Sequence, residues 1–108
     1  MNNLDGIKHD SGKLRWTLLP WDALREVAEV LEFGAREYGV ANWQRLADPE
    51  TRYLDALLRH VVAHASGERR DPKTGMRHLA HAAVNALFLI WFGQQAEKRE
   101  EEDNEQRD

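Results

Sequence analysis

Two sets of polar residues sit at helical spacing among apolar neighbours. His78, His81 and Asn85 fall at i, i+3 and i+7, and Tyr53, His60 and His64 at i, i+7 and i+11. Each set makes one stripe on a helix, and buried imidazoles and amides need hydrogen-bond partners. The chemistry open to them is a hydrogen-bonded core network, a general base, a substrate-binding edge, or a four-histidine transition-metal site of His60, His64, His78 and His81. Carboxylates form a second group. Glu26, Glu29 and Glu32 recur every three residues, which on a helix sets neighbours roughly 5–6 Å apart, a span that a divalent cation can bridge. Glu68 and Asp71 repeat that interval in Gly67-Glu68-Arg69-Arg70-Asp71-Pro72. Two such pairs on packed helices would make a hard oxygen site for Mg²⁺ or Mn²⁺. The plainer alternatives are a solvated face for the first pair, and for the second a helix cap at Asp71-Pro72 with Glu68 pairing to Arg69 or Arg70.

Cations gather ahead of the helices. Lys8, Lys13 and Arg15, with Gly12 among them, form an arm that could fold over a polyphosphate, the alternative being a solvated terminus. It is not a P-loop: five residues separate Gly6 from Gly12, and Leu14 stands where Ser or Thr is required. His9-Asp10 lies in this arm without the helical context of a histidine-aspartate phosphohydrolase. Asn42 and Trp43 offer an amide and a flat ring in a loop, suited to holding a nucleobase or to plugging a bundle end. Arg52, Asp55 and Arg59 read as a surface ion ladder. No Ser or Cys nucleophile arrangement is recognisable.

Three amphipathic segments must position these groups. The first opens at Pro20, carries Leu24, Val27, Ala28, Leu31, Ala35 and Tyr38 at spacings of three and four, and stops at Gly39. The second spans about 50–66, with Leu54, Leu57, Leu58, Val61 and Ala65 on one face and Gly67 after it. The third begins between Asp71 and His78 and is apolar on every side as far as Phe92. Two covering helices do not surround such a helix, so the spacing predicts an all-α small bundle, three main helices plus an N-terminal arm, completed by homo-oligomerisation through the Phe88 to Phe92 end.

The net charge is −4, and residues 97–108, with seven acids and three bases, account for all of it. The body is neutral, which disfavours a nucleic-acid groove. Zero cysteines exclude a disulfide scaffold and fit a cytoplasmic setting. The longest apolar run, 86–92, is far short of the roughly 20 residues of a membrane span, and no signal-peptide core is seen. A soluble, unprocessed chain is expected, with a basic arm over 1–19, one all-α domain over 20–95, and an acidic tail over 96–108, frayed or disordered and dispensable for activity.

Read together, Lys8-x-Asp10-x-Gly12-Lys13-x-Arg15, Leu18-Leu19-Pro20, Phe33-Gly34-Ala35-x-x-Tyr38-Gly39-x-x-Asn42-Trp43, Arg59-His60, Gly67-Glu68-x-x-Asp71 and His78-Leu79-Ala80-His81-Ala82 resemble the phage dATP/dGTP diphosphohydrolase N-terminal family (MazZ-type). That family is similar to the all-α, MazG-like nucleoside triphosphate pyrophosphohydrolases, and the resemblance covers about residues 8–92. It implies metal-dependent hydrolysis of a purine (deoxy)nucleoside triphosphate, dGTP or dATP, to the monophosphate and pyrophosphate by a homodimer or homotetramer, in the host cytoplasm if the chain is phage-encoded. It also implies a setting in phages that replace adenine with 2-aminoadenine. Carried onto this sequence, Glu26, Glu29, Glu68 and Asp71 would hold Mg²⁺ or Mn²⁺, with one of them or His60 orienting the water. Lys8, Lys13, Arg15 and Arg59 would grip phosphates, Asn42 and Trp43 the base, and His78 and His81 the substrate edge. Two adjacent glutamates usually open the wider superfamily's first motif; here Arg25 precedes Glu26, so Glu32, Asp55, His60 or His78 are further candidate ligands. The reading from another class is a non-catalytic helical oligomer that binds a purine nucleotide.

Overall fold

The structure, a computed structural model, describes residues 6–107; residues 1–5 of the arm and Asp108 of the tail lie outside the described residues. From Gly6 to Leu19 the chain is exposed, with a turn closed by Lys13 N–H on the Asp10 carbonyl (3.1 Å) and one 3-10 turn at Trp16–Leu18. Pro20, whose carbonyl takes the first helical bond from Leu24, leads into α1 (Trp21–Tyr38). Gly39, at φ 99°, ends that helix by donating to the Ala35 carbonyl, a conformation that a side chain disfavours.

A 3-10 turn at Asn42–Arg45 connects to α2 (Pro49–Ala65), which starts on a proline whose missing N–H costs a first-turn residue nothing. Its C-terminus is a full Schellman closure: Gly67, at φ 100°, donates to the His64 carbonyl, and Glu68 N–H to that of Ala63. The chain thereby turns back and forms a tight loop over residues 68–77. Asp71 N–H bonds to the Met76 carbonyl (2.8 Å), Gly75 N–H to that of Asp71 (2.7 Å), and His78 N–H to that of Arg69 (2.9 Å). α3 (His78–Gln106) follows.

Asp71 is therefore not the cap of α3. Arg77 holds that place, and the Asp71 carboxylate instead caps its own loop, accepting Lys73 N–H at 2.8 Å. α3 also continues through the acidic stretch to Gln106 as exposed helix, so the described part of the tail is helical.

α2 and α3 pack antiparallel, with Tyr53 near the start of α2 against Phe88 and Phe92, and His60 farther along against His78 and His81. α1 contacts α3 at its beginning, where Val30, Ala80 and Val84 form the buried core with Val27, Met76 and Phe88 against it. The second packing centre is aromatic. Trp43 stacks on Phe88 (ring centroids 4.3 Å), meets Trp91 edge-on, and accepts the Tyr53 hydroxyl hydrogen on its carbonyl at 2.8 Å.

One expectation is reversed. Most of the leucine-valine stripe of α2 points out of the protomer: Leu54, Leu58, Val61 and Ala65 are exposed and only Leu57 is half-buried, whereas the polar flank with Tyr53 and His60 meets α3. The Cα radius of gyration is 19.3 Å, against about 13 Å for a compact domain of this length.

Candidate active site

The 68–77 loop, α2 and α3 bring three ligand-bearing side chains together. One donor atom from each of His60, Asp71 and His78 lies within 4.8 Å of the others. The two imidazoles meet Nδ1 to Nδ1 at 2.9 Å, and His78 Nε2 is 2.7 Å from Glu68 Oε1. With both rings neutral, one proton arrangement satisfies these contacts. His78 Nε2–H donates to Glu68, and His78 Nδ1 accepts from His60 Nδ1–H. His78 is the buried member, while its carboxylate partner opens to solvent. The Glu68 carboxylate behind the ring leaves Nδ1 as the nitrogen with the lone pair; that lone pair takes the His60 hydrogen here, and a cation would bind His78 in place of that hydrogen bond.

His81 completes the group, stacking on His60 at 4.7 Å between centroids with its Nε2 2.8 Å from Thr74 Oγ1. Burial pushes the His60 pKa down, helped by His81 and His78; burial also lowers His81, against the pull of the Asp71 carboxylate. Both rings are thus held neutral at pH 7, with lone pairs available.

The candidate residues divide sharply. His60, Glu68, Asp71, His78 and His81 converge. Glu26 and Glu29 do not join that cluster: Glu26 forms an ion pair with Arg77 at 2.9 Å, and Glu29 pairs with Arg25 at 3.3 Å on the exposed face. Glu32 likewise pairs with Arg36. His64 turns to Arg69, so three histidines gather rather than four. Lys8, Lys13 and Arg15 are exposed and make no side-chain bond among the described residues. Trp43 gives one ring face to Phe88 and meets Trp91 and Phe92 edge-on, and both it and Asn42 are half-buried.

Arg52, Asp55 and Arg59 form no ion ladder; no ion pair joins them among the described residues. They line a cleft of about 480 Å³ together with Tyr38, Tyr53 and Asn85. Thr74 and Arg77 are the contributors that sequence reasoning passed over. Both lie in the loop, where no periodicity marks them, although the Gly75 beside Thr74 (φ 73°) signals a tight turn.

The pattern that defines the family "dATP/dGTP diphosphohydrolase, N-terminal" matches residues 4–104. A dATP/dGTP diphosphohydrolase of Salmonella phage PMBT28 is 42% identical over 89 residues, which cover 82% of this chain and 30% of that relative. The chain thus spans under a third of the length of the relative it matches. No solved structure matches it.

Proposed function

The chain belongs to the dATP/dGTP diphosphohydrolase N-terminal family, and on that premise we propose that it hydrolyses a purine deoxynucleoside triphosphate, dGTP or dATP, to the monophosphate and pyrophosphate with a divalent cation. The observation that carries this reading is the convergence of His60, Asp71 and His78, with Glu68 fixing the His78 ring. Two imidazoles and a carboxylate are a mixed nitrogen and oxygen donor set, which suits Mn²⁺ or another first-row ion better than Mg²⁺. Glu26 and Glu29, held by arginines, stay outside this set. A cation bound there supplies neutralising charge for the triphosphate and acidifies a water.

The chain's own groups do the rest. With His81 Nε2–H donating to Thr74, its Nδ1 carries a lone pair and takes the proton of the attacking water. The water oxygen bonds to the α-phosphorus, the α–β bridging bond breaks, and pyrophosphate leaves. Arg59, next to His60 in the chain, pairs with substrate phosphates, and the Lys8, Lys13 and Arg15 arm closes over the terminal ones.

The active form is a homodimer or homotetramer. The protomer exposes 9075 Å², whereas a compact monomer of 12.5 kDa exposes roughly 6,200 Å². The apolar stripe of Leu54, Leu58 and Val61 is the surface that association would cover. Reaction takes place in the cytoplasm, of the infected host if the chain is phage-encoded.

Incubation of the protein with each dNTP and Mn²⁺, followed by chromatography of the products, tests the reading. Monophosphate plus pyrophosphate from dGTP or dATP, abolished in Asp71→Asn, is expected. Diphosphate plus phosphate would point to another hydrolase, and binding without products to a nucleotide-binding module.

A further inference from the structure

The cleft beside the histidine cluster carries an inference of its own, which rests on the proposed nucleotide substrate. Its volume, about 480 Å³, falls in the range of small-molecule sites. Its walls carry two cations, one carboxylate and aromatic rings: Arg52 and Arg59 outnumber Asp55, with which neither makes an ion pair among the described residues, and Tyr38 is exposed. An anionic molecule with a flat ring fits that lining.

Asn85 is the lining residue that stands out. It is 8% exposed, on a helix otherwise rich in Ala, Leu and Val. Its Nδ2 donates to the His81 carbonyl at 2.9 Å, which fixes the amide plane and leaves Oδ1 as the acceptor. Among the described residues Oδ1 receives no hydrogen bond, and it is not a sealed atom, so it opens on the cleft. Oδ1 is thus an accessible acceptor held in a fixed direction, which a donor on a ligand can meet without disturbing the fold.

Position links this atom to the reacting centre. Asn85 lies seven residues beyond His78, two turns along one stripe of α3, an axial rise of about 10 Å. That is comparable to the span from a base edge to the α-phosphate of a bound nucleotide. Arg59, one residue from His60, also lines the cleft.

We infer that Asn85 is a specificity-determining residue: its Oδ1 accepts a hydrogen bond from the exocyclic amine of the purine, at C6 of adenine or C2 of guanine, while the cleft holds the ring. Pyrimidines, with a shorter ring system, do not bring an amine to the same depth with the phosphates at the cluster. A base without the amine leaves Oδ1 unpaired, and discrimination follows from that loss.

Calorimetric binding of the α,β-methylene analogue of dATP, whose bridge does not hydrolyse, compared with the same analogue carrying hydrogen at C6, reads this directly. The wild-type protein with Mn²⁺ is expected to bind the amine-bearing form at least about tenfold more tightly. Asn85→Ala, folded by circular dichroism, is expected to bind both alike. Equal wild-type affinities, or a preference that persists in the folded variant, would overturn the inference; the wild-type comparison needs no variant to fold. Turnover of dATP is scored separately. Amine preference without turnover would remove the hydrolytic reading and leave Asn85 as the base reader, whereas turnover without preference would do the reverse.

Discussion

Two carboxylate pairs in this chain share one spacing and meet different ends. Glu26 and Glu29 lie on one face of α1, while Glu68 and Asp71 lie in the loop that reverses the chain between α2 and α3. On the helix, the i, i+3 interval guarantees closeness, and the pair is met by the nearest guanidinium groups, Arg77 and Arg25. In the loop, the interval guarantees nothing. The Schellman closure at Gly67 and the bonds from Asp71 to Met76 and Gly75 aim the two acids at His78 and His60. A cation site needs donors from several directions, and one helix face supplies them from one side only.

The sharpest way to break this comparison is at its centre. His78→Ala removes the ring shared by Glu68 and His60, and is expected to lower Mn²⁺-supported turnover by more than about 100-fold and to abolish tight Mn²⁺ binding by titration calorimetry. Full activity in a folded variant would move the site elsewhere. Glu68→Gln keeps the side-chain shape but weakens the hold on His78, so metal affinity should fall by about 10–100-fold.

Acid probes the same cluster without mutation. His60 and His81 have pKa values lowered by burial, so below about pH 6.5, the ordinary histidine value, the unfolded chain binds protons that the folded chain resists. Stability is therefore full above that pH and is lost as pH falls through the lowered folded values. Metal-free Tm should drop as pH falls below about 6.5, and His81→Gln should flatten the drop. A Tm that rises on acidification would contradict neutral rings in the fold. The smallest effect belongs to the other pair. Glu29→Gln breaks only an exposed contact with Arg25, and turnover and Mn²⁺ affinity should stay within about twofold of the wild type. A loss comparable to that of His78→Ala would restore the α1 acids to the site.

Much of the scaffold was legible. Pro20, Gly39 and Gly67 mark helix ends because their backbone preferences act locally, and each lies at or beside the boundary observed. The His78, His81 stripe was also visible, since imidazoles on an apolar helix stand out against their neighbours. Which partners those rings would find was not. Glu68 bonds to His78 across ten residues and Glu26 to Arg77 across 51, distances over which no periodicity carries information. Trp43 shows the same limit: a ring and an amide in a loop suit a base or a plug equally, and its stacking on Phe88, 45 residues on, was not legible from spacing.

The sequence by itself determined the helices, their stops, the absence of thiol chemistry and the residue types from which a site could be built, because each depends on residues within a few positions of one another. Tertiary structure decided which face of α2 looks inward. Leu54, Leu58 and Val61 have the period of a core, yet within the protomer the histidine flank takes that place. Burial is a property of the assembled surface, and hydrophobic period states only that a face must be covered, not by what. The same holds for the chemistry: ligand atoms converge through the antiparallel pairing of α2 and α3 and the closure of residues 68–77, and both are set by contacts far apart in the chain.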